Sequence, residues 1–390
     1  MVSLSTSLCG ISLRNPLIAA AGPNGRTGRL LKRQAEGGAG VVVTKSICVK
    51  GFPLDAMPRP RMINTGVGLL LTDVYSDKGY KQWKKEIKIA KEAGVPVIVS
   101  IESLSLDPTD DLRVLAPAME EAGADAIELA AFGSCSNVTD FSGIGPVQDS
   151  KRTYEVTKTA KEVVSVPVIT KLAPELSNFL DLLKAAETGG ADAITMRDTM
   201  VPSISFDLKT GKPLAVRNKG VSWLPELGGF SLKPNALGFV LEAARRVKIP
   251  IIGNGGVSTW QDAIEMIMAG ATCVGICTAA IVKGPNVFKR IARGMGKFLV
   301  ENNYDTLDEI RGLGLKQVEE IWSQEEVTPY HAKVIIEECT GCTLCESICL
   351  YDAITMVNKK AEIDRDNCTG CGLCTSVCPA GAIELTLDEK

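Results

Sequence analysis

Two runs of cysteine carry the plainest chemistry in this sequence of 390 residues. Cys339, Cys342, Cys345 and Cys349 follow a CxxCxxCxxxC spacing, and Cys368, Cys371, Cys374 and Cys378 repeat it before Pro379. Thiolates so spaced can converge on a four-iron four-sulfur cube, and where two such runs occur together the fourth cysteine of each ligates the other cluster. Two [4Fe-4S] clusters are therefore expected, each drawing three ligands from one run and one from its partner. The flanking text repeats too: Cys339-Thr340-Gly341-Cys342 matches Cys368-Thr369-Gly370-Cys371, and Asp352-Ala353-Ile354 parallels Gly381-Ala382-Ile383. A structural zinc site is the alternative for cysteines in pairs, but four evenly registered cysteines per run favour the cubes. Leu350 stands where a proline usually follows the fourth cysteine, which removes no ligand.

Neighbouring clusters carry single electrons, so the chain needs a group that converts electron pairs into single electrons, and flavin is the usual one. A phosphate site for it is visible at the ends of two apolar runs. Ile252-Gly253-Asn254-Gly255-Gly256 and Gly275-Ile276-Cys277-Thr278-Ala279 free backbone amides at the places where barrel enzymes bind phosphate, after their seventh and eighth strands. No GxGxxG follows a strand, so a nicotinamide would have to be handled by another protein. The single histidine, His331, lies beside the cysteine runs, which leaves Cys, Lys, Ser or Asp to carry any proton in the large domain.

The elements that must position these groups follow a regular rhythm. Short β-branched runs recur at Leu17 to Ala21, Gly40 to Thr44, Pro96 to Ile101, Asp125 to Ala130, Pro167 to Lys171, Asp192 to Arg197, Pro250 to Gly255 and Cys273 to Cys277. Between most of them lie stretches of helical periodicity, among them Tyr80 to Ala93, Asp111 to Ala122, Thr153 to Val164, Asn178 to Thr188, Asn235 to Val247 and Thr259 to Ala269. Starts of the form Val-Pro-Val or Ile-Pro-Ile alternate with Gly-Ala starts (Gly38-Ala39, Gly123-Ala124, Gly190-Ala191, Gly270-Ala271), as in a (βα)2 unit used four times, with Asn15-Pro16 opening the first. Eight strands in this rhythm fit a closed (β/α)8 TIM barrel better than a doubly wound sheet. The fold class expected is α/β: a barrel over residues 1–298, a helical linker over 299–332 and a small α+β two-cluster domain over 333–390. Two connections, Ser46 to Asp77 and Thr199 to Lys233, are too long for turns and follow the carboxyl ends of strands, where barrel active sites lie.

Composition narrows the classes. Hydrophobic residues make up 45% of the chain and aromatics 5%, a balance suited to a Val/Ile/Ala-rich parallel sheet. A net charge of −3 with interspersed signs gives no footprint for nucleic acid. The polar start of the chain and the lack of any long apolar run point to a cytoplasmic protein without a membrane anchor. Thirteen cysteines in such a chain read as metal ligands rather than disulfides, with Cys9, Cys48 and Cys273 structural.

Several local pieces resemble the dihydroorotate dehydrogenase family, and the whole chain is similar to its dihydropyrimidine dehydrogenase branch, whose barrel also precedes a two-cluster ferredoxin. They are Asn15-Pro16 with Ala20-Ala21-Gly22, Thr44-Lys45-Ser46, Thr170-Lys171-Leu172, Gly228-Gly229 through Lys233-Pro234, Gly255-Gly256, and Cys277-Thr278. The resemblance implies FMN, with Lys45, Ser46 and Lys171 near the ring, Ala21 and Gly22 on its face, and Gly228, Gly229, Gly255, Gly256, Cys277 and Thr278 around the ribityl phosphate. It also implies a catalytic cysteine or serine after the fourth strand: with two residues inserted, Ser134-Cys135-Ser136-Asn137 falls on that turn, and Cys135 becomes the acid or base at substrate carbon. An ordinary loop cysteine is the competing reading of Cys135.

Departures cluster at the expected substrate pocket. Ala130, Arg197-Asp198-Thr199 and Leu69-Leu70-Leu71-Thr72 stand where the family places asparagines that pair with a pyrimidine. Each unmatched polar group costs about 1–3 kcal/mol, so a pyrimidine fits poorly unless loop residues take over. Arg197, Arg59 and Arg61 could instead read a carboxylate. The expected activity is reduction or oxidation of an activated carbon–carbon bond in a small substrate, with a ferredoxin or an NAD(P)H-linked flavoprotein subunit as electron partner. From the resemblance alone comes a homodimer or heteromeric complex. The alternative is an electron-transfer subunit that passes electrons between partner proteins and binds no small substrate.

Overall fold

The structure is a computed structural model that describes residues 2–52, 62–72, 75–103, 105, 107–130, 149–173, 177–196, 199–201, 203–215, 225–324 and 329–387. The chain divides into two compact units, Met1–Gln317 and Val318–Lys390.

The first unit opens with a hairpin of β1 (Thr6–Leu8) and β2 (Ile11–Leu13), turned by Cys9 and Gly10, both at positive φ. Eight parallel strands then close a barrel: β3 (Leu17–Ala19), β4 (Val41–Val43), β7 (Val97–Ile101), β8 (Ala126–Leu129), β9 (Val168–Leu172), β10 (Ala193–Met196), β12 (Ile251–Asn254) and β13 (Cys273–Ile276), each hydrogen-bonded to the next in chain order and the last to the first. All eight runs expected from the sequence are barrel strands, and a helix follows each of them.

The fourfold (βα)2 rhythm has a physical counterpart. Gly40, Asp125, Asp192 and Thr272, each next to a Gly-Ala pair or within one residue of it, donate their backbone N–H to the carbonyls of Leu17, Val97, Val168 and Ile251 on the preceding strand, at 2.7–2.9 Å. Asp125 and Asp192 add a second tie, accepting the backbone N–H of Val97 and Val168 at 2.6 and 2.7 Å while pairing with Lys91 and Lys161.

Successive side chains on a strand point to opposite faces. Outward residues such as Leu17, Val42, Val97, Ile127 and Ile194 join the helices in the main core, whereas Ile18, Val41, Ile98, Ala126, Ile169, Ala193, Ile252 and Cys273 form a separate cluster inside the barrel. Leu8 and Leu13 belong to that inner cluster, so the amino-terminal hairpin plugs the bottom of the barrel, a role not legible in what reads as a polar start.

The two long connections are partly ordered as a second sheet. Antiparallel β5 (Met62–Asn64), β6 (Leu69–Leu71) and β11 (Glu226–Gly228) pair in the order β11-β6-β5, so segments far apart in sequence meet beyond the carboxyl ends of the barrel strands. Leu307 and Ile310 are fully buried in the barrel unit, Tyr304 stacks on Phe298, and Gly312 donates to the carbonyl of Ile267, which holds this stretch to the first unit. Among the described residues no helix is long and apolar enough to cross a membrane.

The second unit is built of two similar halves. β14 (Tyr330–Val334) pairs with β17 (Ile383–Leu387), and β15 (Ile354–Val357) with β16 (Lys360–Ile363). Short helices Leu344–Ile348 and Leu373–Val377 start at Thr343 and Gly372, both in the left-handed region, as are the matching Asp352 and Gly381.

Candidate active site

On six of the eight strands the same inner face turns polar two to four residues beyond its apolar position. Ile98 leads to Ser100 and Glu102, Ala126 to Glu128, Ile169 to Lys171, Ala193 to Thr195, Ile252 to Asn254, and Val41 through Val43 to Lys45. All of these polar side chains are buried, Lys45 and Lys171 at 5% exposure. Buried charge persists only where it is paired and hydrogen-bonded, and the interior supplies both signs. Thr195 Oγ1 donates to Glu128 Oε2 at 2.9 Å within this layer. Burial first, then the carboxylates of Glu102 and Asp111, push the Cys48 thiol up against the opposing influence of Lys45.

Above this layer lies a cavity of about 330 Å³. Ala21, Gly22, Lys45, Ser46, Lys171, Gly228, Gly229, Gly255, Gly256, Cys277 and Thr278 all line it, so the residues singled out as cofactor ligands meet at one place although they come from six separate parts of the chain. Its wall also includes Glu102, Ala130, Asn254, Thr199, Glu226 and Leu71. Cys135, together with Ser134, Ser136, Asn137, Arg59, Arg61, Arg197 and Asp198, lies outside the described residues.

Glycine makes the cavity possible. A Cβ on Gly22 would collide with Cys277 Sγ, one on Gly256 with the backbone nitrogen of Lys233, and one on Gly275 would stand 2.6 Å from Asn254 Oδ1. Gly229, Gly255 and Gly256 all have positive φ, a conformation that side chains disfavour. Gly256 rests on Lys233, whose ammonium bonds Glu265 at 2.6 Å and Asp262 at 3.1 Å. The result is a glycine-walled cradle that Thr278 and two buried lysines also line. That cradle, with glycine backbone in its wall and two buried lysines lining it, fits a phosphate-bearing planar cofactor.

Thr199 Oγ1 donates to Glu226 Oε2 at 2.8 Å on the cavity wall. Glu102, Glu128 and Glu226 were not anticipated. The first two carried a usable signal, a carboxylate two residues along an apolar inner face, whereas nothing local marks Glu226.

In the second unit the cysteines sort into two cages. Cys339, Cys342 and Cys345 line one together with Cys378, and Cys368, Cys371 and Cys374 line the other together with Cys349. Backbone N–H groups aim at the sulfurs: Ala353 to Cys349 at 3.4 Å, Ala382 to Cys378 at 3.3 Å and Ala332 to Cys368 at 3.5 Å. The Ala361 and Gly341 amides hold the Cys339 thiol below its ordinary range. Four sulfurs around each cage, with amides donating to them, fit an iron–sulfur cube. Among the described residues no three Cys, His, Asp or Glu side chains close on a single-ion position. Away from the cages, burial raises Cys273 to about 12 and Cys9 to about 11.

Comparison with known proteins gives two family matches. A model described as dihydroorotate dehydrogenase matches residues 3–299, and one described as a 4Fe-4S dicluster domain matches residues 332–385. Relatives include the dihydroorotate dehydrogenase B (NAD(+)) catalytic subunits of Methanothermobacter thermautotrophicus, Pyrococcus furiosus and Methanosarcina mazei. The first is 35% identical over 310 residues, covering 80% of this chain and 98% of the relative. The second is 38% identical over 319 residues, covering 81% and 100%, and the third 37% over 317 residues, covering 81% and 96%. Each relative is thus matched over almost its whole length, while about a fifth of this chain extends beyond the match.

Proposed function

Because the chain belongs to the dihydroorotate dehydrogenase family of oxidoreductases and also carries a 4Fe-4S dicluster domain, we propose that it is an FMN- and iron–sulfur-dependent enzyme acting on an activated carbon–carbon bond, dihydropyrimidine dehydrogenase-like but with an altered substrate pocket. The observation that carries this reading is the convergence of glycines, lysines and Thr278 on one cavity at the carboxyl end of the barrel. FMN supplies hydride exchange at its N5 and single-electron steps, and two four-iron cubes supply single-electron transfer.

The residues of the chain would do the rest. Gly228, Gly229, Gly255, Gly256, Cys277 and Thr278 would hold the phosphate and ribityl chain, Ala21 and Gly22 would leave a flat face, and Ser46 would lie near the ring. Lys45 and Lys171, buried with Glu102 and Glu128 in the same interior, would hold positive charge against the reduced ring. Cys135 would give or take the proton at substrate carbon. Cys339, Cys342, Cys345 and Cys378 would bind one cluster, and Cys368, Cys371, Cys374 and Cys349 the other. The relatives' names, NAD(+) and catalytic subunit, support an NAD-linked flavoprotein subunit as electron partner, with a ferredoxin as the other candidate. Homodimerisation remains an expectation from the family.

The test is anaerobic purification with flavin and iron analysis, followed by titration of the reduced protein with uracil, thymine, orotate and other enones while flavin reoxidation is followed. Reoxidation by a pyrimidine, lost in Cys135→Ala, supports the reading. Silence towards every enone, with cluster reduction intact, would make the chain an electron-transfer subunit instead.

A further inference from the structure

The two halves of the second unit seat their cysteine loops in the same way. A Cβ on Gly341 would collide with the carbonyl of Lys359, just before β16, and one on Gly370 with the carbonyl of Tyr330 on β14. Two residues further along, the amide of Ala361 donates to Cys339 and that of Ala332 to Cys368. Lys359 therefore corresponds to Tyr330 and Ala361 to Ala332. Between the members of each pair stands one residue, Lys360 in one half and His331 in the other.

The backbones match, but the charges do not. The half-buried Lys360 ammonium donates to the carbonyl of Cys339 at 2.6 Å and to that of Ile336 at 2.9 Å. Both acceptors are neutral carbonyls, and among the described residues no carboxylate pairs with this ammonium. The Ala361 and Gly341 amides, and then the charge of Lys360, hold the Cys339 thiol below its ordinary range. Histidine, as a residue type, is mostly uncharged at neutral pH. The acidic residues beside the cysteine runs, Glu337, Glu338 and Glu346 in one half and Asp352 and Asp366 in the other, are all exposed, where water and salt screen them.

We propose that Lys360 raises the reduction potential of the cluster held by Cys339, Cys342, Cys345 and Cys378 above that of its neighbour, so that the first electron to enter this domain comes to rest there. The proposal rests on the reading of each cage as the site of one four-iron cube. A cube with four thiolate ligands is negatively charged and gains a further charge on reduction, so a fixed cation favours the reduced form, the more so where burial limits screening. Lys360 acts through its charge at Cys339 and not as a ligand.

The experiment is a redox titration of the anaerobic holoprotein followed by electron paramagnetic resonance, with iron counted in every variant. Wild type is expected to give two separate cluster midpoints, and Cys378→Ala, which opens the cage beside Lys360, should remove the upper four-iron one. Lys360→Met should weaken reduction of the upper cluster by about tenfold, which is about 59 mV for one electron, and leave the lower one within about twofold. Lys360→Arg, which keeps the charge, should stay within about threefold of wild type. Lys360→Gln keeps a donor for the carbonyls without the charge, and takes the place of Lys360→Met if that variant loses iron. Coincident midpoints in wild type, loss of the lower midpoint in Cys378→Ala, or unmoved midpoints in an iron-replete Lys360→Met or Lys360→Gln overturn the proposal and leave the cages standing. Loss of iron from both uncharged variants makes Lys360 a structural residue and overturns it as well, whereas a wild-type protein that takes up no iron overturns the reading of the cages themselves.

Discussion

Gly22 lies directly against Cys277: a Cβ placed on the glycine would run into the cysteine sulfur. The two residues come from opposite ends of the barrel sequence and meet because β3 and β13 are neighbours where the barrel closes. The contact ties the floor of the cavity to the loop that starts the helix at Thr278.

Gly22→Ala should therefore act through that sulfur. Over-packing of this kind costs about 1–3 kcal/mol, and the loss is expected first in flavin content and then in melting temperature. Backbone strain plays no part, since Gly22 is extended at φ 167°. Cys277→Ala removes the obstructing atom, so the double variant should recover most of the stability and flavin lost by Gly22→Ala alone. Additive losses in the two variants would assign the effect to something other than this contact.

Thr195→Val replaces a buried hydroxyl by a methyl of similar shape and withdraws a donor from Glu128. About 1–3 kcal/mol of stability should go with it. Glu128→Gln with Thr195 intact should cost less, since the amide oxygen can still accept. Thermal unfolding of the holoprotein and its flavin release, followed together, measure both, and an unchanged Thr195→Val protein would show the bond to be idle.

A pH dependence follows from the support beneath Gly256. Burial alone would raise the Asp262 carboxyl, but the Ser258 amide, the Lys233 ammonium and the Thr259 hydroxyl and amide together hold it below its ordinary range. The hydrogen bond to Glu265 leads in raising Lys233 above its ordinary range. A lowered carboxyl contributes stability that is present above the unfolded value of about 4 and is lost as pH falls through the lower folded value. The raised Lys233 contributes below the ordinary lysine value and loses its contribution as pH rises through the higher folded one. The stability gap between wild type and Asp262→Asn should stay level near neutrality and narrow in acid. A gap that widens as pH falls would reverse the assignment.

The cages make a prediction about which cluster each variant harms. Cys378→Ala belongs by sequence to the second run but removes a sulfur from the cage of Cys339, Cys342 and Cys345. If each cage holds one cube, about half of the iron should be lost or converted to a three-iron form. Adding Cys342→Ala should then take little more, whereas adding Cys371→Ala should remove the remainder. The opposite pattern, read by iron analysis and electron paramagnetic resonance, would assign each run to its own cluster.

Much of this architecture was legible because its punctuation is regular. Each barrel strand is a β-branched run opened by a proline or a Gly-Ala pair, and the amide of Gly40, Asp125, Asp192 or Thr272 ties each pair of strands together in the structure. The cysteine spacing reported the two cages in the same way, since the chain has few ways to bring such a run around a cube. Three-residue strands left no comparable mark. Met62–Asn64, Leu69–Leu71 and Glu226–Gly228 exist only because distant segments pair, and no window of local sequence contains that partner. Glu226 was invisible for the same reason, while Glu102 and Glu128 stood on the inner alternation of strands whose register was already clear. The turn around Cys135 lies among residues that are not described, so its chemistry rests on the resemblance and on the proposed test.

The exchange of fourth cysteines between the two runs also sets a schedule. A ribosome delivers the chain from its amino end, so Cys339, Cys342 and Cys345 emerge first as an open set of three. The other cage is completed earlier, when Cys374 joins Cys349, Cys368 and Cys371, and the first set must wait for Cys378. The cage begun first is finished last. By then the whole barrel has been synthesised, so neither set of four sulfurs is complete before the barrel is.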